Sequence, residues 1–296
     1  MNVLIAGGTG FLGTTLTNSL LADRHKVIVL TRRAPNQPNQ IQWDGVTTDG
    51  WGNLVNDVDA IVNMTGYSTE HWPWTKRLKK RFEDSRVFPA LALASAIGSA
   101  LRRPRVYLQA SGINHYGLRG DLVADESTPP GDDFLAQLTV KWENASRAIE
   151  DFGVRRVIVR SAVVLAKRGG LFPLMALPVR LFLGGKFGDG DQSMPWIHII
   201  DQVNAMRFLI ENETARGPFN LISPEQTSNA EFMREIARVL KRPYWFHLPA
   251  FLLRTTLGEM SILLTEGRFS QPRRLLDFGF KFQYGKLNTA LKDLLA

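Results

Sequence analysis

Residues 7–13 read GGTGFLG, and the architecture of the chain can be inferred outward from this short segment. It places Gly7, Gly10 and Gly13 directly after the apolar run Val3–Ala6 and directly before leucines at helical spacing. Glycines at these positions permit a tight turn, a close approach of the backbone to a pyrophosphate, and close packing of a helix on a strand. The free N–H groups at the start of such a helix bind phosphate. The segment therefore predicts a dinucleotide-binding turn between a strand and a helix.

The rest of the N-terminal half alternates between apolar strands and helices. A second strand, predicted at 27–30, closes a βαβ unit around the glycine segment. Alternation with short loops is typical of a mostly parallel sheet that is covered by helices on both faces. The sequence therefore predicts an α/β fold of the Rossmann class, a doubly wound parallel sheet. Further strands are predicted at 41–43, 60–64, 106–109 and 157–159, and helices within 78–101 and over 138–152.

The alternation ends near residue 166, where Gly- and Pro-rich loops begin. We therefore expect a Rossmann domain over residues 1–165, to which residues 196–222 return. Residues 166–195 and 223–296 are expected to form a smaller C-terminal domain over the carboxyl ends of the strands. One helix start in this domain is well marked, because Ser228 and Glu231 have the spacing of a capping box.

The end of the second predicted strand selects the dinucleotide. An acidic residue there would bind the ribose 2′-hydroxyl of NAD and repel a 2′-phosphate. This chain has Thr31, Arg32 and Arg33 instead, and the planar guanidinium group of arginine suits a phosphate. The alternative is a pair of solvated arginines at a strand end. We expect NADP(H) to be the cofactor.

The composition excludes several kinds of site. The chain has 296 residues and no cysteine, which excludes disulfides, thiolate metal sites and a cysteine nucleophile. The five histidines lack the spacing of metal ligands, so no metal site is expected. The net charge of +8 favours anionic ligands. The basic run at 76–81 is interpreted as a solvated helix face, and nucleic acid is therefore not an expected partner.

Two apolar stretches, 171–183 and 251–264, are long enough to be considered as membrane spans. Prolines and an arginine interrupt the first, and Arg254 and Glu259 interrupt the second. Neither reaches the roughly 18–20 uninterrupted apolar residues that a span requires, so no membrane span is expected. The first residues lack the basic segment and cleavage site of a signal peptide, and the expected location is cytoplasmic.

Several segments beyond the glycine loop resemble the short-chain dehydrogenase/reductase superfamily in its extended, epimerase-like branch. They are residues 58–66, 110–117, 159–165 and 196–201. A more specific resemblance covers nearly the whole chain, through residues 74–86, 141–143, 188–201, 229–232, 258–259 and 279–280. These segments are similar to an atypical group called epimerase family proteins, which includes bacterial proteins once labelled cell-division inhibitors and a mitochondrial or plastid relative.

This resemblance implies a Rossmann fold, an NADP preference and a small C-terminal domain of unknown role, but it supplies no substrate. Together with the glycine loop and the strand end, it defines the residues that we expect to bind the cofactor. They are Gly7, Thr9, Gly10, Phe11, Leu12, Gly13, Thr31, Arg32, Arg33, Thr65, Gly66, Lys141, Ser161 and Val163.

Enzymes of the superfamily use a tyrosine followed four residues later by a lysine, which lowers the phenol pKa and holds the cofactor ribose. None of the five tyrosines here has a lysine four residues later, so the pair is absent. The resemblance places Lys141 at the lysine position and Gln137 at the tyrosine position, and glutamine cannot act as an acid or base. We expect Lys141 to hold the ribose. The alternative is an exposed helical lysine.

Two further residues are candidates for catalysis. Ser111 is expected to polarise a substrate carbonyl, although counting back from Tyr116 places Gly112 at the family's serine position. A structural hydroxyl is the alternative. Tyr116 is a candidate substitute acid if its loop folds over the nicotinamide, and packing on substrate or cofactor is its alternative role. His198 and Asp201 are expected to hydrogen-bond to each other as a structural pair.

Two functions are compatible with these observations. The first is an NADP-dependent oxidoreductase or epimerase, which moves a hydride to or from an unknown small or nucleotide-linked substrate held over Ser111 and Tyr116. The second is a catalytically silent NADP(H)-binding regulatory or scaffold protein, which the missing tyrosine favours. Besides a small molecule, a second copy of the chain in a homodimer stays open as a partner.

Overall fold

The computed structural model describes residues 1–118, 120 and 122–295. Strands and helices alternate along the N-terminal half, and shorter elements follow. The strands are β1 Asn2–Ala6, β2 Lys26–Thr31, β3 Gln40–Gln42, β4 Ala60–Asn63, β5 Val106–Gly112, β6 Arg155–Ser161, β7 Val163–Leu165, β8 Gly184–Phe187, β9 Trp196–His198, β10 Gly217–Leu221 and β11 Tyr244–Leu248. The helices are α1 Phe11–Ala22, α2 Lys76–Ser99, α3 Phe134–Asn144, α4 Phe172–Arg180, α5 Ile199–Glu211, α6 Asn229–Leu240, α7 Ala250–Leu257, α8 Ile262–Thr265, α9 Arg273–Asp277 and α10 Leu287–Leu295.

A seven-stranded parallel sheet in the order β10-β6-β5-β4-β1-β2-β3 forms the centre of the fold. Successive side chains of a strand point to opposite faces of the sheet. Val3 and Ile5 of β1 therefore join a core with α1 and α5, whereas Leu4 and Ala6 join a second core with α2. Because both faces are buried, the inner strands are continuous apolar runs. The predicted α/β Rossmann class is confirmed.

The chain leaves the sheet after β6 and returns to it at β10, which pairs in parallel with β6. Between and after these strands, α4, α6 and α10 build a third core that includes Phe172, Phe232 and Leu291. The expected division into two domains, with its boundaries, stays a prediction. The predicted start of α6 is confirmed, because the Ser228 and Glu231 side chains each accept a hydrogen bond from the other residue's backbone N–H.

The helix predicted over 138–152 begins earlier and ends sooner than expected. It is α3, over Phe134–Asn144, and a short 3-10 turn at Arg147–Ile149 follows it. Asp133 determines its start, because the Asp133 carboxylate accepts a hydrogen bond from the Ala136 N–H at 2.9 Å. The apolar pattern thus predicted only the C-terminal part of this helix and extended past its end.

The predicted hydrogen bond between His198 and Asp201 is not formed. The His198 ring instead accepts a hydrogen bond from the Ile200 N–H at the start of α5. The Asp201 carboxylate accepts two hydrogen bonds from the backbone N–H groups of Gln283 and Tyr284. Both residues are structural: His198 caps the start of α5, and Asp201 ties α5 to the segment before α10. Among the described residues, no helix is long and apolar enough to cross a membrane.

Candidate functional site

The glycine loop connects β1 to α1 through a turn that closes when the Gly10 N–H donates to the Gly7 carbonyl at 3.0 Å. Gly7 has a φ of +85°, a conformation that favours glycine. A Cβ atom at Gly7 would lie 2.8 Å from the Met64 carbonyl atoms, and one at Gly13 would lie 2.2 Å from the Gly7 oxygen. The first and third glycines are therefore required by backbone packing. At Gly10 a Cβ would meet only the Gly7 oxygen, at 3.3 Å. The glycine at this position therefore leaves space beside the loop backbone that a side chain would otherwise fill.

The segment after β4 packs against the glycine loop and is held there by Asn63. This side chain is fully buried, and its Oδ1 atom accepts hydrogen bonds from the Thr65 backbone N–H at 3.1 Å and the Thr65 hydroxyl at 2.7 Å. Its amide group donates to the Tyr107 hydroxyl and to Gln109 on β5. Asn63 thus fixes Thr65 and Gly66 beside Gly7, at the carboxyl edge of the sheet where ligands of this fold class bind.

Two connected cavities lie along this edge. The glycine-loop cavity, of about 420 Å³, runs from Gly7 and Gly13 past Gly66 to Ser111 and Ser161. The strand-end cavity, of about 150 Å³, lies between the glycine loop and the end of β2 and shares Gly7, Gly10, Thr65 and Gly66 with the first. Predicted cofactor-binding residues that line one or both cavities are Gly7, Thr9, Gly10, Phe11, Leu12, Gly13, Thr31, Arg32, Thr65, Gly66 and Ser161.

The remaining predicted residues lie beside these cavities, with one exception. Arg33 lines an adjoining cavity of about 280 Å³ together with Thr9 and Thr31. Val163 lines a cavity of similar volume between the glycine-loop helix and the C-terminal part of the chain. Arg32 and Arg33 are exposed, and within the described ranges neither forms an ion pair with a carboxylate. Their guanidinium groups flank the strand end and are available to an anion.

The exception is Lys141, which the structure does not place at either cavity. Its ammonium group lies 2.7 Å from the Glu83 carboxylate, and its side chain is 55% exposed. Gln137 is also exposed and donates to the Gly131 carbonyl. The cavity-facing side of α3 carries Leu135, Leu138, Thr139 and Trp142 instead, the spacing that one helix face requires. Two pairs of these residues are four positions apart, Leu135 with Thr139 and Leu138 with Trp142, and the second pair lies one residue beyond Gln137 and Lys141, the pair expected from the resemblance.

Ser111 lines the glycine-loop cavity. Its hydroxyl donates a hydrogen bond to Glu143 Oε1 at 2.7 Å. Glu143 is buried and forms a bidentate pair with Arg160, whose Nε and Nη2 atoms donate to its two oxygens at 2.9 and 2.8 Å. Burial alone would raise the Glu143 pKa, but the hydrogen bonds and charge of Arg160 outweigh it and hold this pKa below its usual value. Ser111 therefore borders a buried carboxylate that stays ionised.

Tyr116 belongs to the same buried network and lies behind the cavity rather than in its wall. Its side chain is 1% exposed. Its hydroxyl donates to Asn220 Oδ1 at 2.7 Å and accepts from Arg160 Nη1 at 3.0 Å. Burial raises the pKa of Tyr116 to about 12, and burial lowers the pKa of the neighbouring His115 to about 4. At neutral pH the phenol is thus protonated and already engaged on both sides, which favours a positioning role.

The glycine-loop cavity has the chemistry to hold a nicotinamide nucleotide. The glycine turn gives a cradle that a side chain would fill, and two buried polar atoms in the wall lack hydrogen-bond partners among the described residues. They are Trp142 Nε1, a donor, and Gln202 Oε1, an acceptor. Since buried polar groups are normally hydrogen-bonded, these atoms suit the ribose and carboxamide groups of a ligand. The Gln202 amide is held in place, because its Nε2 atom donates to the Ser161 hydroxyl at 2.8 Å.

Several residues of the cavity could not be assigned from the sequence. Trp142 and Gln202 line it from helices whose faces depend on exact helix starts, and Glu143 contacts the cavity residue Ser111 from the same helix as Trp142. For α3 a usable signal existed, because Asp133 is a capping residue and counting from it places Leu138 and Trp142 on one face. For Arg86 of α2, which also lines the cavity, no local signal distinguishes it from the neighbouring basic residues.

Comparisons with known proteins agree with this architecture. The model of the NAD dependent epimerase/dehydratase family matches residues 3–222. A second model, described as a domain of unknown function, matches residues 248–294. The chain is 37% identical to the epimerase family protein SDR39U1 of Bos taurus, with all of both chains covered. It is 34% identical to the epimerase family protein YfhF of Bacillus subtilis, covering all of this chain and 98% of the relative.

A solved structure of high similarity is the human epimerase family protein SDR39U1 (isoform 2), crystallised with NADPH. The two folds superpose with a TM-score of 0.92 at 36% identity, and 99% of each chain is covered. Similarity of this extent includes the C-terminal part of the chain as well as the central sheet.

Proposed function

Because this chain belongs to the NAD dependent epimerase/dehydratase family, we propose that it is an NADP(H)-binding, epimerase-like oxidoreductase acting on a small or nucleotide-linked substrate. The observation that carries this proposal is the glycine-loop cavity, which joins the phosphate-binding turn to Ser111. The NADPH bound to the human relative supports the choice of cofactor. So do Arg32 and Arg33 at the end of β2, which form no ion pair with a described carboxylate and lie where a 2′-phosphate is distinguished from a hydroxyl.

A bound nicotinamide would give or accept a hydride at the inner end of this cavity. Ser111 is the residue that we assign to the substrate oxygen. Because its hydroxyl proton points to Glu143, its lone pairs are free to accept the hydrogen of a substrate alcohol, and polarising a carbonyl would require the hydroxyl to rotate. Glu143 and Arg160 hold Ser111 in place, and Tyr116 supports Arg160. We therefore assign Tyr116 to positioning and keep Ser111 as the proposed catalytic residue.

The alternative is a catalytically silent NADP(H)-binding regulatory or scaffold protein. One observation favours it: the side chains of α3 that line the cavity, Leu135, Leu138, Thr139 and Trp142, include no carboxylate, imidazole, phenol or amine that could act as an acid or base. Turnover distinguishes the two functions.

The homodimer and the cytoplasmic location also stay predictions. Light scattering on the purified protein measures whether it forms a homodimer.

The cofactor choice can be tested at Arg32 and Arg33. Replacing both with alanine is expected to weaken NADPH binding roughly 10- to 100-fold, the value of charge-assisted hydrogen bonds to a phosphate, and to leave NADH binding within about twofold. Titration of the intrinsic tryptophan fluorescence measures both affinities. Arg103→Ala removes a charge outside all of the cavities described above and serves as the control. Equal losses for the two cofactors would contradict the 2′-phosphate assignment.

The proposed activity can be tested by following NADPH absorbance with a panel of carbonyl compounds and nucleotide sugars. With any substrate that is turned over, Ser111→Ala is expected to lower kcat/KM roughly 100-fold while NADPH affinity is retained, because the substrate oxygen loses its partner. Thr255→Ala, which removes a hydroxyl from α7, is the control. NADPH binding without turnover of any compound would favour the silent alternative.

A further inference from the structure

A further cavity continues from the glycine-loop cavity, and the phosphate-binding turn takes no part in it. Its volume is about 280 Å³. The two cavities share the residues Phe11, Leu12, Thr69, Asn114 and Ser161. Gly7 and Gly13 line the glycine-loop cavity but not the further one. A dinucleotide whose pyrophosphate rests on the glycine turn therefore leaves this space beside its nicotinamide, where a substrate has to lie.

The wall of this further cavity, called the apolar cavity below, consists mainly of hydrocarbon side chains. They come from the glycine-loop helix, from the segment after β6 and from the C-terminal part of the chain. They include Leu12, Val163, Leu171, Met194, Pro195 and Leu263. The volume of the cavity is close to the lower end of the roughly 300–1,000 Å³ that is usual for small-molecule sites. The space therefore suits a compact ligand with an apolar body.

The charged groups in this wall do not suit a diphosphate. Within the described part of the chain, the charged residues that line it are Glu70, Glu266 and Arg268. The Arg268 guanidinium group already donates from Nε to the Leu122 carbonyl and from Nη1 to the Tyr116 carbonyl, each at 3.1 Å. Proteins bind phosphate groups through cations and free backbone N–H groups. Two carboxylates and one engaged arginine therefore oppose the binding of a nucleotide sugar here.

A polar side chain lies where the two cavities meet. Asn114 belongs to the short 3-10 turn that follows β5, and it lines both cavities. Its backbone carbonyl accepts a hydrogen bond from the Gly117 N–H, whereas its side-chain amide forms no hydrogen bond with a described residue. The amide group of asparagine has two donor hydrogens and an acceptor oxygen. Asn114 can therefore bind an oxygen of a ligand at this junction.

We propose that the substrate is an uncharged carbonyl compound, or the corresponding alcohol, with a compact apolar body, and that it is not a nucleotide sugar. The apolar body occupies the apolar cavity, and the oxygen lies at the junction, where the Asn114 amide binds it. This inference rests on the proposed NADP(H) function and narrows its substrate to the small, apolar class. Asn114 is assigned to substrate binding and takes no part in proton transfer.

The test measures binding to the protein saturated with NADPH, with which an alcohol cannot exchange a hydride. Calorimetric titrations compare the series from 2-butanol to 2-decanol with UDP-glucose. Each added methylene is expected to strengthen binding about fourfold until the cavity is filled, and UDP-glucose is expected not to bind. The inference is wrong if no alcohol binds, if their affinity does not change with chain length, or if UDP-glucose binds more tightly than every alcohol.

Substitutions at Leu263 test whether the apolar cavity is the binding site. Leu263→Asp places a carboxylate in the wall and is expected to weaken 2-octanol at least 10-fold, with NADPH affinity within about twofold. Phe251→Asp is the matched control, because it adds the same charge at an exposed position of α7 outside the cavities described above. Leu263→Ala enlarges the cavity and should move the tightest binding to a longer alcohol. Equal 2-octanol affinity of Leu263→Asp and Phe251→Asp, or an unchanged preferred length for Leu263→Ala, would contradict the assignment.

The junction is tested with Asn114→Leu, which keeps the size of the side chain and removes the amide. It is expected to weaken 2-octanol about 10-fold and to leave NADPH binding unchanged. Unchanged 2-octanol affinity would remove Asn114 from the proposal, and thermal unfolding checks that each variant is folded. If the unsubstituted protein does not bind NADPH, the proposed function fails and this inference fails with it. Normal NADPH binding without binding of any alcohol defeats only the substrate assignment.

Discussion

Arg160→Met is expected to lower the free energy of unfolding by about 3–5 kcal/mol, because it leaves a buried carboxylate without its counter-ion. Arg160 and Glu143 are 5% and 7% exposed, and their two hydrogen bonds are parallel and short. Without the guanidinium group, the Glu143 carboxylate keeps, among the described side chains, the Ser111 hydroxyl and the nearby His115, which burial keeps neutral. The same substitution also removes the donor to the Tyr116 hydroxyl.

Urea unfolding followed by tryptophan fluorescence measures this effect. The double variant Glu143→Met/Arg160→Met should recover at least half of the loss, since replacing both members of a buried pair by apolar groups is close to neutral. Arg238→Met is the control, because Arg238 pairs with Glu235 at the surface, and surface pairs contribute little. If Arg160→Met lowered the free energy of unfolding no more than the control does, its Glu143 carboxylate would not be an uncompensated buried charge, and the prediction would be wrong.

Gly13→Ala is expected to abolish cofactor binding, with a loss of NADPH affinity of about 100-fold or more and a destabilisation of about 3 kcal/mol. Its Cβ would lie 2.2 Å from the Gly7 oxygen and 2.6 Å from the Gly8 Cα. Both contacts are with backbone atoms, so α1 must move away from β1. The turn that presents the phosphate-binding N–H groups then opens.

Gly10→Ala is the matched contrast to Gly13→Ala. Its backbone is extended, with φ −81° and ψ 177°, and the new methyl group would be 3.3 Å from the Gly7 oxygen. The fold should therefore tolerate it, whereas NADPH should bind more weakly because the methyl group occupies the space where the backbone approaches the pyrophosphate. Thermal unfolding and NADPH titration of both variants separate the two effects. Near-normal affinity of Gly13→Ala would contradict the steric argument.

The sequence by itself determined the class of fold and the outer half of the candidate site. Apolar runs, helical spacing and the three glycines are local patterns, and their order along the chain indicates strand, turn and helix in succession. The same is true of Arg32 and Arg33, because a strand end in a parallel sheet always points to the ligand edge. The Ser228 capping box could likewise be predicted, since its two hydrogen bonds join residues three apart.

The inner half of the site was decided by tertiary structure. The phase of α3 depends on its start at Asp133 and on its packing, and a shift of one residue exchanges Lys141 for Trp142 at the cavity wall. A helix turns by about 100° for each residue, so an error of one residue in its predicted start assigns each side chain to the wrong face. Arg86 enters from a helix that follows the glycine loop by more than 60 residues, and only the packing of α2 against Gly66 makes it a cavity residue. Local sequence patterns determined where a dinucleotide would lie, whereas helix packing decided which side chains meet its nicotinamide end.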